Sequence, residues 1–179
     1  SRREICACAE KHRSAVLRIK ESEDHRCSEK SERKRGCFVE SVKIHMIHSL
    51  WPEQQGFHLE RHREEDEYIF VHFLSPARLS VEGRQFSARE GSCILYNRFS
   101  DRTIDAPDVP LLHNWFHAGG NFPALMEKYQ LQFNTLYEPG CDAELTGIMQ
   151  AAERECMRHK PFTDEICALK IEELLARIA

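Results

Sequence analysis

The chain is 179 residues long, with 41% hydrophobic and 30% charged residues, the proportions of one globular domain or of a domain with a tail. Its formal net charge of −4 argues against strong non-specific nucleic-acid binding by these residues, which needs Lys and Arg to neutralise phosphates. No apolar run reaches membrane-span length and Ser1-Arg2-Arg3-Glu4 leads into no apolar signal core, so a cytoplasmic protein whose eight cysteines are reduced is expected.

Residues 1–41 carry 11 Lys/Arg against 8 Asp/Glu, a net of +3, and the remainder carries 14 against 21, a net of −7. From Lys20 to Gly36 there is almost nothing to bury, which predicts a flexible charged leader with a boundary near Ser41. Cys6, Cys8, Cys27 and Cys37, with His12 and His25 nearby, lack the paired-knuckle spacing of structural zinc.

From Val42 to about Ala118 the pattern is β. Lys43 to His48 alternates until Trp51-Pro52, and Phe57 to His62 alternates again before the acidic run Glu64-Glu65-Asp66-Glu67, expected to be a solvated turn. Tyr68 to Leu74 is apolar on both faces, as a strand covered on two sides would be. Leu79 to Val81, Glu82-Gly83 and Arg84 to Phe86 predict a tight hairpin, with Gly83 supplying a positive φ. Cys93 to Tyr96 and Leu111 to His117 complete a set of short strands spaced like those of a sandwich or barrel. The period then changes. Pro123 to Lys128 reads as a short helix and Asp142 to about His159 as a second, with Leu145, Ile148, Met149, Ala152 and Cys156 on one face. After Pro161-Phe162-Thr163 a third carries the stripe Ile166, Leu169, Ile171, Leu174, Leu175 and Ile178 to the end. That stripe suits either packing on the barrel or a helix–helix dimer seam.

The strand Tyr68 to Leu74, the hairpin Val81-Glu82-Gly83-Arg84-Gln85-Phe86, the turn and strand Glu90-Gly91-Ser92-Cys93-Ile94-Leu95, the strand His113-Asn114-Trp115-Phe116-His117 and the two helices after it resemble, in order and spacing, the N-terminal effector-binding and dimerisation domain of AraC-type transcription regulators. The resemblance covers about Val42 to Ala179. It implies a mainly β fold with C-terminal α: a cupin-like (double-stranded β-helix, jelly-roll) barrel over residues 42–120, then a helical dimerisation segment of two or three helices over residues 121–179. It implies a small-molecule effector, a sugar foremost, a homodimer formed through the C-terminal helices, and DNA contact only through a helix-turn-helix module that would lie past Ala179. Neither a cofactor nor enzymatic activity is implied. The family more often has Pro-Gly where this chain has Glu90-Gly91.

Metal-dependent cupin enzymes, such as sugar isomerases and dioxygenases, form the alternative, with a passive sugar-binding module as a third reading. Their ligands are His and Glu on neighbouring strands. Here the second-half ligand position is Ile94, which cannot bind a metal, and only His58, Glu60 and His62 offer a fallback. The resemblance assigns effector contact to His113 and Trp115, matching a His-x-Trp strand that touches sugar in the arabinose-responsive regulator, and to Arg61, seven before Tyr68. A sugar-contacting Tyr of that regulator falls at about Ile104. By alternation His113, Trp115 and His117 share one face, and Trp115 suits stacking on a sugar's C–H face. Tyr68 and His72 of the core strand are further candidates. A mobile arm over residues 42–56, with Trp51 as a plug, is expected to close the barrel mouth.

Overall fold

A computed structural model describes residues 42–63, 65–140 and 142–179; residues 1–41, with the expectations of a charged leader and of no zinc site there, lie outside the described residues. In chain order the elements are β1 (Lys43–Pro52), β2 (Phe57–Arg61), β3 (Tyr68–Phe73), β4 (Ala77–Val81), β5 (Arg84–Ala88), β6 (Cys93–Tyr96), β7 (Arg102–Ala106), β8 (Leu112–Gly119), α1 (Phe122–Lys128), β9 (Leu136–Tyr137), α2 (Asp142–Cys156) and α3 (Thr163–Ile178).

The strands form two antiparallel sheets. One has the order β1-β8-β3-β6-β9 and the other β2-β7-β4-β5. Leaving aside the two-residue β9, this is the eight-strand order of a double Greek-key jelly roll, so the fold is mainly β with C-terminal α and the barrel is cupin-like. The β4–β5 hairpin turns through Glu82 and Gly83, both at positive φ (47° and 76°), the pair of conformations that matches the twist of adjoining strands.

β3 lies between β8 and β6, pairing Phe70 with Phe116 on one side and Leu95 on the other. All six of its residues are buried because both of its faces are covered. Ile69, Val71 and Phe73 point between the sheets, where they join Leu79, Val81, Ile94 and Ile104 in the barrel core. Tyr68 and Phe70 point the other way, into a second core with Phe116, Phe122, Met149 and Leu174 beneath the helices. Each fully buried aliphatic or aromatic side chain contributes about 1.5–3 kcal/mol to these cores.

The α3 stripe divides. Ile171, Leu174, Leu175 and Ile178 are buried in the core under the helices, whereas Ile166 and Leu169, with Phe162 just before the helix, remain exposed. The expected mobile arm is instead a wall strand: residues 43–52 form β1, paired with β8 from Lys43↔Gly119 to Pro52↔Leu112 with two irregularities. Ladder hydrogen bonds hold it in place, and Trp51 packs on β8 rather than plugging a mouth.

Candidate ligand-binding site

β8 presents its side chains alternately. Phe116 and Ala118 enter the core below the helices, and Asn114 donates from Nδ2 to His72 Nδ1 (3.0 Å) and to Thr146 Oγ1 of α2 (2.9 Å). His113, Trp115 and His117 therefore share the opposite face, toward the other sheet. His113 is only 6% exposed, 6.4 Å from the Phe57 ring, and neither of its ring nitrogens has a hydrogen-bond partner. Burial lowers its pKa from 6.5 to about 4, so it is a neutral imidazole at physiological pH. Trp115 sits between His48 (4.8 Å between centroids) and His117 (5.2 Å), with Trp51 edge-on at 6.4 Å. The half-buried Trp115 is thus one member of a continuous row of rings from β1 to β8.

A charged cluster occupies another part of the barrel. Arg61 of β2 and Arg102 of β7 are cross-strand partners on the face that carries Leu59 and Ile104. Arg102 is 5% exposed, and its guanidinium lies 5.1 Å from the centroid of the Tyr96 ring. Both arginines donate to the same carboxylate, Glu65: Arg61 Nε to Oε1 at 3.0 Å, and Arg102 Nη2 to Oε2. Burial works to raise the Glu65 carboxyl, but the Arg102 guanidinium, aided by His117 and Arg61, holds it below the ordinary carboxylate range. The Tyr96 hydroxyl is fully buried without a hydrogen-bond partner, and burial pushes its pKa well up.

The described part of the acidic run, Glu65 to Glu67, is near the surface but each of its carboxylates is paired. Glu65 is taken by the two arginines, Asp66 by Arg98, and Glu67 by His117 and His45, whose Nδ1 atoms donate to its two oxygens at 2.7 Å and 2.5 Å. The hydrogen bond from His117 is the largest influence on Glu67; with that from His45 it outweighs burial and holds the carboxyl at about 2. Residues 65–67 form a strap fastened to β1, β7 and β8.

The sequence-predicted site residues therefore separate. His113, Trp115 and His117 lie along one face of β8, and Arg61 is half exposed beside Glu65. Tyr68 and His72, the further effector-contact candidates, are on the opposite side of the sheet, away from the barrel interior. Tyr68 stacks on Phe122 and Phe133, and His72 is sealed beneath α2 with its Nε2 3.6 Å from Asp142. Ile69, Val71 and Phe73 already fill the inner positions of β3, so its even positions must face the helices. His58, Glu60 and His62 lie on solvent-exposed positions of β2 and the loop after it, and His58 (57% side-chain exposure) is bound to Asp105. Among the described residues no group of three His, Cys, Asp or Glu side chains is arranged to hold a metal ion. Sequence reasoning missed Arg102, Tyr96 and the roles of Glu65 and Glu67. Arg102 does carry a signal, a lone charge on a strand face otherwise occupied by Ile104 and Ala106. Two open concavities lie elsewhere, one of about 480 Å³ beside Tyr129 and Ile178 and one of about 290 Å³ beside Cys156.

No protein-family model and no curated protein matches the chain. Solved structures do. ToxT from Vibrio cholerae matches at 11% identity over 77% of this chain and 56% of that one, with a TM-score of 0.50. ToxT from Vibrio cholerae O395 bound to (E)-4-(8-methylnaphthalen-1-yl)but-3-enoic acid matches with the same identity and coverage and a TM-score of 0.52. The cupin domain of Schizosaccharomyces pombe Cnp3 matches at 9% identity over 52% of this chain and 79% of that one, with a TM-score of 0.35. The chain thus spans 56% of the length of the ToxT structures, and the likeness to them is one of fold. ToxT is an AraC-family regulator, and the chain resembles the cupin-like N-terminal domain of that family. No helix among the described residues is long and apolar enough to cross a membrane.

Proposed function

We propose that this chain is the small-molecule-sensing and dimerisation part of a cytoplasmic AraC-type transcription regulator, non-enzymatic in itself, with DNA read by a module beyond it. One observation carries this reading: an apolar barrel encloses polar groups that the fold does not need. The two ring nitrogens of His113 and the Tyr96 hydroxyl are buried without partners, and Arg102 is a buried cation whose carboxylate partner comes from a strap. Burying such groups is costly unless something binds them.

Two effector chemistries suit these groups. A small apolar acid would place its carboxylate on Arg61 and Arg102, where Glu65 now sits, as planar guanidinium forks favour. The ligand of the ToxT complex is an acid of that kind, an aromatic body with a carboxyl end. A sugar is favoured by a different observation, the face that His113 and Trp115 share with His117, whose imidazole lies 5.2 Å from the indole. In either case the effector acts by binding the strap-open arrangement more tightly than the closed one, since equal affinity would shift nothing. Dimerisation would use Phe162, Ile166 and Leu169, which lie at four- and three-residue steps along one exposed side of α3 and its lead-in.

A thermal-shift screen of aliphatic and aromatic acids against a panel of sugars tests the proposal. At 100 times its Kd a binder stabilises by about 2.7 kcal/mol, a rise of several degrees. Arg102→Met should abolish the response to acids, and Trp115→Ala the response to sugars. If both variants keep the wild-type response to whichever compound binds, the assigned pocket is wrong.

A further inference from the structure

Cys156 ends α2 and Cys167 lies one turn into α3, and their Sγ atoms are 2.8 Å apart. That is well inside the separation at which two thiols rest against each other and only somewhat longer than the roughly 2.04 Å of a disulfide. Helix packing, not the short connection alone, brings them there. Ala152 and Leu174 of the two helices are both buried in the core below the sheet, and Cys167 Sγ also lies 3.6 Å from the Ala152 carbonyl. The two sulfurs differ in access. Cys167 is 1% exposed, whereas Cys156 is half-buried and lines the concavity of about 290 Å³ together with Lys160, Phe162 and Thr163. The connection between the helices holds two non-glycine residues in left-handed backbone conformation, His159 (φ 49°) and Phe162 (φ 68°).

We propose that Cys156 and Cys167 form a reversible disulfide that latches α2 to α3, with Cys156 as the attacking thiol and Cys167 as the resolving one. The co-reactant is a low-molecular-weight disulfide of the glutathione class. The Cys156 thiolate attacks one sulfur of that disulfide and expels the first small thiol, leaving a mixed disulfide on Cys156. Cys167, as thiolate, then attacks the Cys156 sulfur and expels the second. One S–S bond is consumed and one is formed, the protein loses two electrons and two protons, and two small thiols carry them away. Burial pushes both thiols above the ordinary cysteine range, so the latch answers to sustained oxidising conditions and not to brief ones. Closing it fixes the bend that presents Phe162, Ile166 and Leu169. This inference does not depend on the identity of the effector.

The full chain, reduced and then equilibrated across a series of reduced-to-oxidised glutathione ratios, tests it. Remaining thiols are blocked with N-ethylmaleimide under denaturing conditions, and tryptic peptides are weighed. The peptides Glu155–Arg158 and His159–Lys170 should appear joined, two hydrogens lighter than their sum, and the oxidised protein should melt higher by roughly 5–10 °C. Cys156→Ser and Cys167→Ser, isosteric enough to fold, should each remove that rise. The proposal is overturned if both peptides carry N-ethylmaleimide even in fully oxidised glutathione. It is equally overturned if Cys156 stops at a stable glutathione adduct, or if either cysteine is found joined to a different one.

Discussion

His113 is a base held away from its proton. Its pKa is about 4 in the fold against 6.5 as a free side chain, so the unfolded chain binds a proton over a range where the folded chain does not. Stability is therefore complete above pH 6.5, falls as the pH drops from 6.5 to about 4, and stays flat below. The loss approaches about 3 kcal/mol, since each pKa unit is worth about 1.4 kcal/mol. Urea denaturation of His113→Leu should show a shallower slope, the remainder belonging to His72, whose pKa burial also lowers. Glu67 works in a lower window. Its carboxyl is depressed from 4.5 to about 2, so its contribution is present above pH 4.5 and disappears as the pH falls from 4.5 to about 2. Glu65→Ala leaves Arg102 buried without its carboxylate and should cost roughly 3 kcal/mol, with Glu65→Ala/Arg102→Met recovering part of that loss. Recovery of nothing would show that the pair is not coupled. The shared face of His113, Trp115 and His117 was legible because strand side chains alternate. Tyr68 and His72 were not legible, because β3 is apolar on both sides and its sequence cannot say which parity faces the helices.

Between elements, close approaches decide more than propensity. A Cβ on Gly91 would collide with the Asp142 carboxyl at the start of α2, and Gly91 also has φ +86°. Gly83 has nearly the same φ, +76°, but open space around it. Gly91→Ala should therefore cost the backbone strain it shares with Gly83→Ala plus about 1 kcal/mol for turning the Asp142 side chain aside, measured as the difference in urea midpoint at constant slope. Equal costs would mean that the Asp142 side chain swings aside freely. The hairpin at Glu82-Gly83 and the helices were readable from turn residues and the apolar period. β1 was only half readable: Lys43 to His48 alternates, but Trp51-Pro52 reads as a break and hides pairing that continues to Pro52↔Leu112. β9 has two residues, too few to show any period.

At the scale of the molecule, the chain resolves the α3 stripe in favour of its own barrel, and what remains outside is small. Phe162 (72% exposed), Ile166 and Leu169 (64%) are apolar on a surface with no covering element among the described residues. If a second copy covers them, Leu169→Glu should shift sedimentation from dimer to monomer while leaving the melting temperature within about 1–2 °C, because an exposed side chain contributes little to the fold itself. A wild-type chain that sediments as a monomer at high concentration would remove dimerisation from the proposal. A sandwich or barrel was legible because short strands at even spacing admit few architectures, whereas the jelly-roll form was what the family resemblance implied. The charged cluster was not, since its members come from β2, β7 and the strap, and only the closed barrel brings them together.

The strap is fastened by opposite charges near the water boundary, and several of the groups, Arg61, Asp66 and Arg98 among them, are substantially solvated. Such bonds weaken as mobile ions accumulate around them, with a screening length of about 8 Å at physiological ionic strength. If an effector displaces the strap as proposed, the threshold for that displacement falls as the surrounding electrolyte grows more concentrated.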